Sequence, residues 1–367
     1  MSQLLIQQIA LTLIPNIGCV RAKVLVQHFK GNVAELFKAK IKDLAAIDGI
    51  GEVAAKSIKY FDDFAAAEKE LAFIEKYKIE ALCIGADNYP KRLLQAYDSP
   101  TMLYYKGFAD LNTAKIVAIV GTRTNSDYGK KVTEKLVEDL APHNVLILSG
   151  LAYGIDAIAH KAAVKHNLST VGVLAHGLDK IYPAEHTKLA KDMVTANGGL
   201  LTEFRSYTKP DRHNFPTRNR IVAALADATV VIETDVKGGS MITAELANGY
   251  NKDVFAYPGK TTDSKSAGCN NLIKKNKANL ITNANDLLHI MGWEKTKAKP
   301  IKQRELFVEL TPNEKIIVTL LQQADSLYID ELYAKAGLTS GEIASALLTL
   351  ELQAIIQSLP GKMLKMI

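Results

Sequence analysis

The chain reads as an α/β protein: a mainly parallel sheet in its middle, flanked by a small helical unit on either side. Three observations carry that reading. Six short apolar runs, Ile116–Val120, Val145–Leu148, Thr170–Leu174, Leu200–Glu203, Thr229–Ile232 and Val254–Ala256, alternate with longer amphipathic stretches, the pattern of βαβ units. Each run is almost free of charge, as strands buried on both faces should be. Several are followed by glycine-containing loops: Gly121-Thr122-Arg123, Ser149-Gly150, Ala175-His176-Gly177, Lys237-Gly238-Gly239-Ser240 and Pro258-Gly259. Open α/β sheets bind ligands at the carboxyl ends of their strands, where such loops gather.

The flanks follow in order. Ile14-Pro15-Asn16-Ile17-Gly18-Cys19-Val20-Arg21-Ala22-Lys23 is repeated as Ile47-Asp48-Gly49-Ile50-Gly51-Glu52-Val53-Ala54-Ala55-Lys56, with Ile, Ile, Gly, Val, Ala and Lys in register. Each copy reads as helix, tight turn, helix, and resembles the helix-hairpin-helix. In that motif the glycine lets backbone N–H groups approach a phosphate with the lysine nearby. The alternative is that these turns only pack two small helices. A helical run from Phe61 to Tyr77 closes this unit. Past the sheet, Glu294–Glu305 is basic and lysine-rich around Pro300, as a linker would be. Thr311-Pro312-Asn313-Glu314 then fits a helix start, running on through Gln322. Tyr328–Ala336 and Thr339–Leu350 have helix-turn-helix spacing, and Ile355–Leu359 and Met363–Ile367 flank a Pro360-Gly361 turn, a winged-helix outline. The second of those helices offers Glu342 and no Lys or Arg, so partner contact competes there with DNA reading. The resulting layout is a helical domain at 1–80, the sheet domain at 81–292, a linker at 293–308 and a winged-helix-like domain at 309–367.

Composition narrows the function. The 367 residues carry 45 Lys+Arg against 39 Asp+Glu, a net charge of +6, with 48% hydrophobic residues. That excludes wholesale disorder and a collagen-like chain. No apolar run reaches the ~18 residues needed to cross a bilayer, and the N-terminus lacks a secretory pattern, which points to a cytoplasmic protein with no membrane insertion. Cys19, Cys83 and Cys269 are scattered, so neither a disulfide scaffold nor a cysteine zinc site is expected. No nucleophile elbow, Walker A loop or metal-ligand spacing is present, and no cofactor or metal is expected.

The promising features are cationic and glycine-rich. Gly121, Thr122 and Arg123 follow the first strong strand, where backbone amides and a guanidinium can hold an anion together. Between Phe204 and Arg220, the cations Arg205, Lys209, Arg212, Arg218 and Arg220 face Asp211 alone and are interleaved with Phe204, Tyr207 and Phe215. Single-stranded nucleic acid needs that mixture, cations for the backbone and ring faces for unstacked bases. Gly238, Gly239 and Ser240 open a helix, and the serine can cap it while donating to a phosphate.

Taken in order, these segments resemble the DNA-processing protein A family, also called Smf, over about Tyr89–Ile281. The matching pieces include Val117-Ala118-Ile119-Val120-Gly121-Thr122-Arg123, Ser149-Gly150-Leu151-Ala152, Gly154-Ile155-Asp156 with Ala159-His160, and Tyr182-Pro183. Further on come Phe215-Pro216-Thr217-Arg218-Asn219-Arg220-Ile221 and Gly239-Ser240-Met241-Ile242-Thr243-Ala244. The resemblance implies an extended Rossmann-like domain, flanked by a helix-hairpin-helix or SAM-like domain and a winged helix. It implies a non-enzymatic homodimer that binds single-stranded DNA and loads a RecA-type recombinase onto strands arriving in natural transformation. It places DNA contacts on Gly121, Thr122, Arg123, Gly150, Lys161, Phe204, Arg212, Phe215, Arg218, Asn219, Arg220, Gly238, Gly239 and Ser240. Thr122 stands where the family usually has Ser, and Tyr153 where Arg is usual before Gly-Ile-Asp. The rival reading is a Rossmann-like nucleotide phosphoribohydrolase, of which Gly238-Gly239-Ser240 with Glu245 is a partial echo.

Overall fold

The computed structural model describes residues 2–294, 310–323, 326–353, 355–359 and 362–366. The expected basic linker, past its first two residues, and the Pro360-Gly361 turn lie outside them. The chain divides into two units, Met1–Lys295 and Thr296–Ile367.

The first unit opens with six helices: α1 (Ser2–Leu13), α2 (Cys19–His28), α3 (Val33–Lys38), α4 (Ile41–Ala45), α5 (Gly51–Lys59) and α6 (Phe64–Tyr77). The two repeats supply the turns before α2 and α5. In the second, Gly49 and Gly51 have φ of 77° and 68°, a backbone that side chains rarely adopt. Ile14, Ile17, Ile47 and Ile50, the shared isoleucines, meet in one small core with Leu25, Leu36 and Ile58.

The first hairpin shows the packing role of its cations. Lys23 Nζ donates to the Leu94 and Ala96 carbonyls, at 3.1 and 2.6 Å, and approaches Ser99 Oγ at 3.3 Å, which docks the helical part onto the segment at residues 94–99. Arg21 donates to the carbonyls of Asn16 and Gly49, at 2.8 and 3.1 Å, tying the two hairpins together.

The sheet part contains β1 (Glu80–Cys83), α7 (Lys91–Leu94), β2 (Met102–Gly107), β3 (Ile116–Val120), α8 (Asp127–Leu140), β4 (Leu146–Ser149), α9 (Ile155–Lys165), β5 (Thr170–Val173), α10 (Thr187–Thr195), β6 (Gly199–Thr202), α11 (Asn214–Leu225), β7 (Ala228–Val231), α12 (Gly239–Gly249), β8 (Asp253–Ala256), α13 (Ser264–Lys274), β9 (Asn279–Leu280) and α14 (Ala284–Ile290). The strand order is β1-β2-β6-β5-β4-β3-β7-β8-β9. All pairings from β6 to β9 are parallel, and β1 and β2 extend one edge antiparallel. Alternation along each strand feeds two cores. Ile116, Ala118 and Val120 face α11, α12 and α13, whereas Val117 and Ile119 face α8, α9 and α14. The chain winds outward from β3 to β6, returns through α11 to β7, then winds the other way, so the strand order reverses beside β3. That reversal opens a crevice at the carboxyl ends of β3, β4 and β7, the place such sheets bind ligands.

The second unit contains α15 (Pro312–Leu321), β10 (Leu327–Tyr328), α16 (Ile329–Lys335), α17 (Ser340–Leu352), β11 (Ile356–Leu359) and β12 (Met363–Met366). Thr311 with Glu314, and Thr339 with Glu342, form capping boxes at the starts of α15 and α17. Its three strands pair in the order β10-β12-β11, and Ile317, Leu332, Ile343, Leu350 and Ile356 fill the core between helices and wing. Among the described residues, no helix is long and apolar enough to cross a membrane.

Candidate nucleic-acid interface

The crevice is an open cleft of about 500 Å³. Its walls are the β3–α8 turn, the β4–α9 turn, the start of α11 and the β7–α12 turn, which bring together Gly121, Thr122, Arg123, Gly150, Arg212, Phe215, Arg218, Asn219, Gly238, Gly239 and Ser240. Lys161 is exposed on α9, Phe204 is half-buried and Arg220 is buried; none of the three lines the cleft.

The turn after β3 is stitched from both sides. Thr122 N–H donates to the Glu233 carbonyl at 2.7 Å, and the Thr122 carbonyl accepts from Ile155 N–H at 3.2 Å. Buried Glu233 also accepts from Ser126, the N-cap of α8, through both its N–H and its hydroxyl. A side chain at Gly121 would strike Ile155, one at Gly150 the Arg218 guanidinium, and one at Gly238 the Thr234 hydroxyl. These glycines let protein approach protein, and two of their amides are already engaged, that of Gly150 by Asp156 at 3.1 Å and that of Gly238 by the Asp235 carbonyl at 2.9 Å. Gly239 differs: the space over its Cα is open. It begins α12, an eleven-residue helix in which the Met241 N–H already donates to the Gly238 carbonyl at 3.0 Å, whereas those of Gly239 and Ser240 precede the first intrahelical acceptor. There Ser240, 7% exposed, carries a hydroxyl that lacks a hydrogen-bond partner among the described residues. A helix N-terminus with a free buried hydroxyl suits an anionic oxygen.

The arginines divide into two sets. Arg218 is 4% exposed; its Nη1 donates to the Gly150 carbonyl at 2.6 Å and to the Val173 carbonyl, and its Nε donates to Asn219 Oδ1 at 3.0 Å. Burial pulls its pKa down to about 10, opposed by Asp156, so it stays charged at neutral pH. Asp156 accepts from the N–H groups of Gly150 and Ala152; burial raises its carboxyl while Arg218 opposes the shift. Arg220, 8% exposed, pairs with Glu203 and donates to the Asp98 carbonyl. These two are internal staples, so of the five cations expected to meet a nucleic-acid backbone, Arg218 and Arg220 spend their guanidinium groups on the protein itself.

Arg123 and Arg212 face solvent. Arg123 lies over the Phe215 ring, 5.0 Å from its centroid, a cation–π contact. Tyr182, whose ring centre is 6.3 Å from that of Phe215, and Tyr153 border an adjoining slot. Tyr153 donates to Glu185 at 2.8 Å. Asp235 is the exposed acid of the cleft. Sequence reasoning named Tyr182-Pro183 only as a matching motif; its place beside Phe215 needs the fold. Among the described residues, no group of three or more His, Cys, Asp or Glu side chains is placed to hold a metal ion.

A reversal crevice walled by cations, an open helix start and aromatic rings marks a Rossmann-like protein whose cleft has the chemistry to take an anion that also presents flat groups. Comparison with known proteins makes this specific. The sequence profile of the DNA recombination-mediator protein A family matches residues 80–292, a helix-hairpin-helix profile matches 9–69, and a DprA winged-helix profile matches 305–362. Protein Smf of Synechocystis is 31% identical over 95% of both chains. The crystal structure of DNA processing protein A from Streptococcus pneumoniae is 33% identical, covering 77% of this chain and 95% of its own, with a TM-score of 0.66. DNA processing protein A of Helicobacter pylori, solved to explain its single-stranded DNA binding mode, is 33% identical over 58% of this chain and 95% of its own, with a TM-score of 0.53. The chain belongs to the DNA recombination-mediator protein A family, the DprA or Smf proteins.

Proposed function

We propose that this protein binds single-stranded DNA in the cleft and acts by holding the strand, without catalysis. The observation that carries the reading is the Arg123 guanidinium over the half-buried Phe215 ring, in one cleft with Arg212 and the Ser240 hydroxyl, which has no partner among the described residues. Arginines take phosphates, Phe215 takes an unstacked base, and the start of α12 takes one further anionic oxygen. Arg218, Asn219 and Gly150 hold the cleft's shape. The H. pylori relative's single-stranded DNA binding supports the same ligand here, and the family's description as a recombination mediator supports the next step, delivery of the strand to a RecA-type recombinase. Natural transformation is the setting that this activity fits, with the protein working in the cytoplasm as a homodimer. The hydrolase alternative loses its acid: Glu245 does not line the cleft, and its carboxylate lies 3.4 Å from Lys277 on the surface.

Titrating the full chain with matched single- and double-stranded oligonucleotides over a salt series tests the reading. Single strands should bind more tightly, with log affinity falling against log salt at about −0.7 per phosphate contacted. Equal affinity for duplex, or free base released from nucleoside monophosphates, would overturn it.

A further inference from the structure

We propose that a second single-stranded DNA subsite lies outside the cleft, on a basic and aromatic strip formed by α6 and the turn at residues 205–208; the proposal rests on the cleft being the primary site. Tyr207 and Tyr77, 73% and 43% exposed, flank buried Phe73, with ring centres 5.7 and 4.6 Å from it. Lys69, Lys76 and Arg205 are exposed beside these rings, and Lys76 Nζ lies 5.3 Å from the Tyr77 ring centre. Lys69 and Arg205 line an open depression of about 490 Å³ together with Tyr207. The acid within it, Glu70, is 5% exposed and turned inward onto Ser206, whose N–H donates to it at 2.9 and 3.1 Å and whose hydroxyl donates at 2.5 Å. Glu68 and Glu75 each precede a lysine of the strip and so sit about 100° around the helix.

The turn is built to display its tyrosine. Tyr207 has φ of 63°, unusual for a bulky side chain, and such conformations persist only where their surroundings over-determine them. Here Tyr207 N–H donates to Asp179 Oδ1 at 2.7 Å, the Thr208 carbonyl accepts from Gly177 N–H at 3.1 Å, and Glu70 clamps Ser206. A side chain at Gly177 would collide with the Arg205 carbonyl and the Ser206 backbone. The ring packs edge-on against Phe73 yet keeps most of its surface in solvent, where an unstacked base beside cations can meet it. Four residues lie between Tyr207 and Arg212 at the cleft. The two Cα atoms therefore lie within about 18 Å, a gap that one continuous strand can bridge.

The full-length protein is titrated with an oligothymidylate of about 4 nucleotides, which fills the cleft without reaching the strip, and one of about 20, long enough for both. Tyr207→Asn removes the ring and keeps a residue that tolerates left-handed backbone; Lys69→Gln/Arg205→Gln removes the charges. Each variant should bind the longer strand about tenfold more weakly and the shorter one as the parent does. Parent-like binding of the longer strand, or equal loss on both lengths, overturns the second subsite. Arg123→Ala/Arg212→Ala separates the two ideas. If it binds both lengths as the parent does, the cleft reading itself fails; if it loses the short strand while the strip variants keep the long one, only the strip fails.

Discussion

The floor and the rim of the cleft draw on one residue type and one stretch of chain. Arg218, on the floor, bonds the Gly150 carbonyl and the Val173 carbonyl at the end of β5, and faces buried Asp156. Arg212, six residues earlier on the rim, is exposed, and its Nε donates to the neighbouring His213 ring at 3.2 Å. Local charge density cannot tell these arginines apart, but helix geometry can. Position 218 shares a face with Ile221, Val222 and Leu225, which pack into the core, so its guanidinium is carried inward and must find acceptors there. Binding and scaffolding are therefore separable by substitution.

The strongest challenge to that division is Arg218→Ala. It takes the guanidinium away from Asp156 and from the Gly150 and Val173 carbonyls, and breaking a buried charge interaction in this way costs about 3–5 kcal/mol. Arg212→Ala should stay within about 0.5 kcal/mol of the parent in urea unfolding, as surface changes do. Equal stability of the two variants would erase the distinction. On the rim, Phe215→Ala should weaken single-strand binding by roughly 1–3 kcal/mol with the salt slope unchanged, because stacking releases no counterions; fluorescence anisotropy across a salt series checks this.

Acid should act on the floor. His160, fully buried on α9, bonds through Nδ1 with Thr170 Oγ1 at 2.7 Å, and burial pushes its pKa down to about 3. Below its ordinary value of 6.5 the unfolded chain takes up a proton that the folded one refuses. Stability should therefore fall as pH drops from 6.5 towards 3, at up to about 1.4 kcal/mol per unit. His160→Asn should flatten that limb of the pH profile.

Much of the fold was legible because buried parallel strands are written as short uncharged runs. All six expected strands occur, within a residue or two at either end. β1, β2 and β9 were not marked: β9 has two residues, and β2 ends in Lys106-Gly107, which breaks the apolar pattern. The cleft's walls were legible as loops after strands. The direction of each side chain was not, since glycines that admit a phosphate and glycines that admit an arginine look alike in sequence. Periodicity offered one usable signal: Asp156, His160 and Ala163 recur on the inward face of α9, just as Arg218 does on α11.

The central claim is that the rim arginines hold the strand's phosphates while the floor arginines hold the protein. The salt dependence of single-strand affinity in Arg123→Ala/Arg212→Ala, compared with the parent, tests it most directly. The slope of log affinity against log salt should flatten by about 1.4, two contacts at 0.7 each, with urea unfolding unchanged. An unaltered slope and affinity in a folded double variant would contradict it.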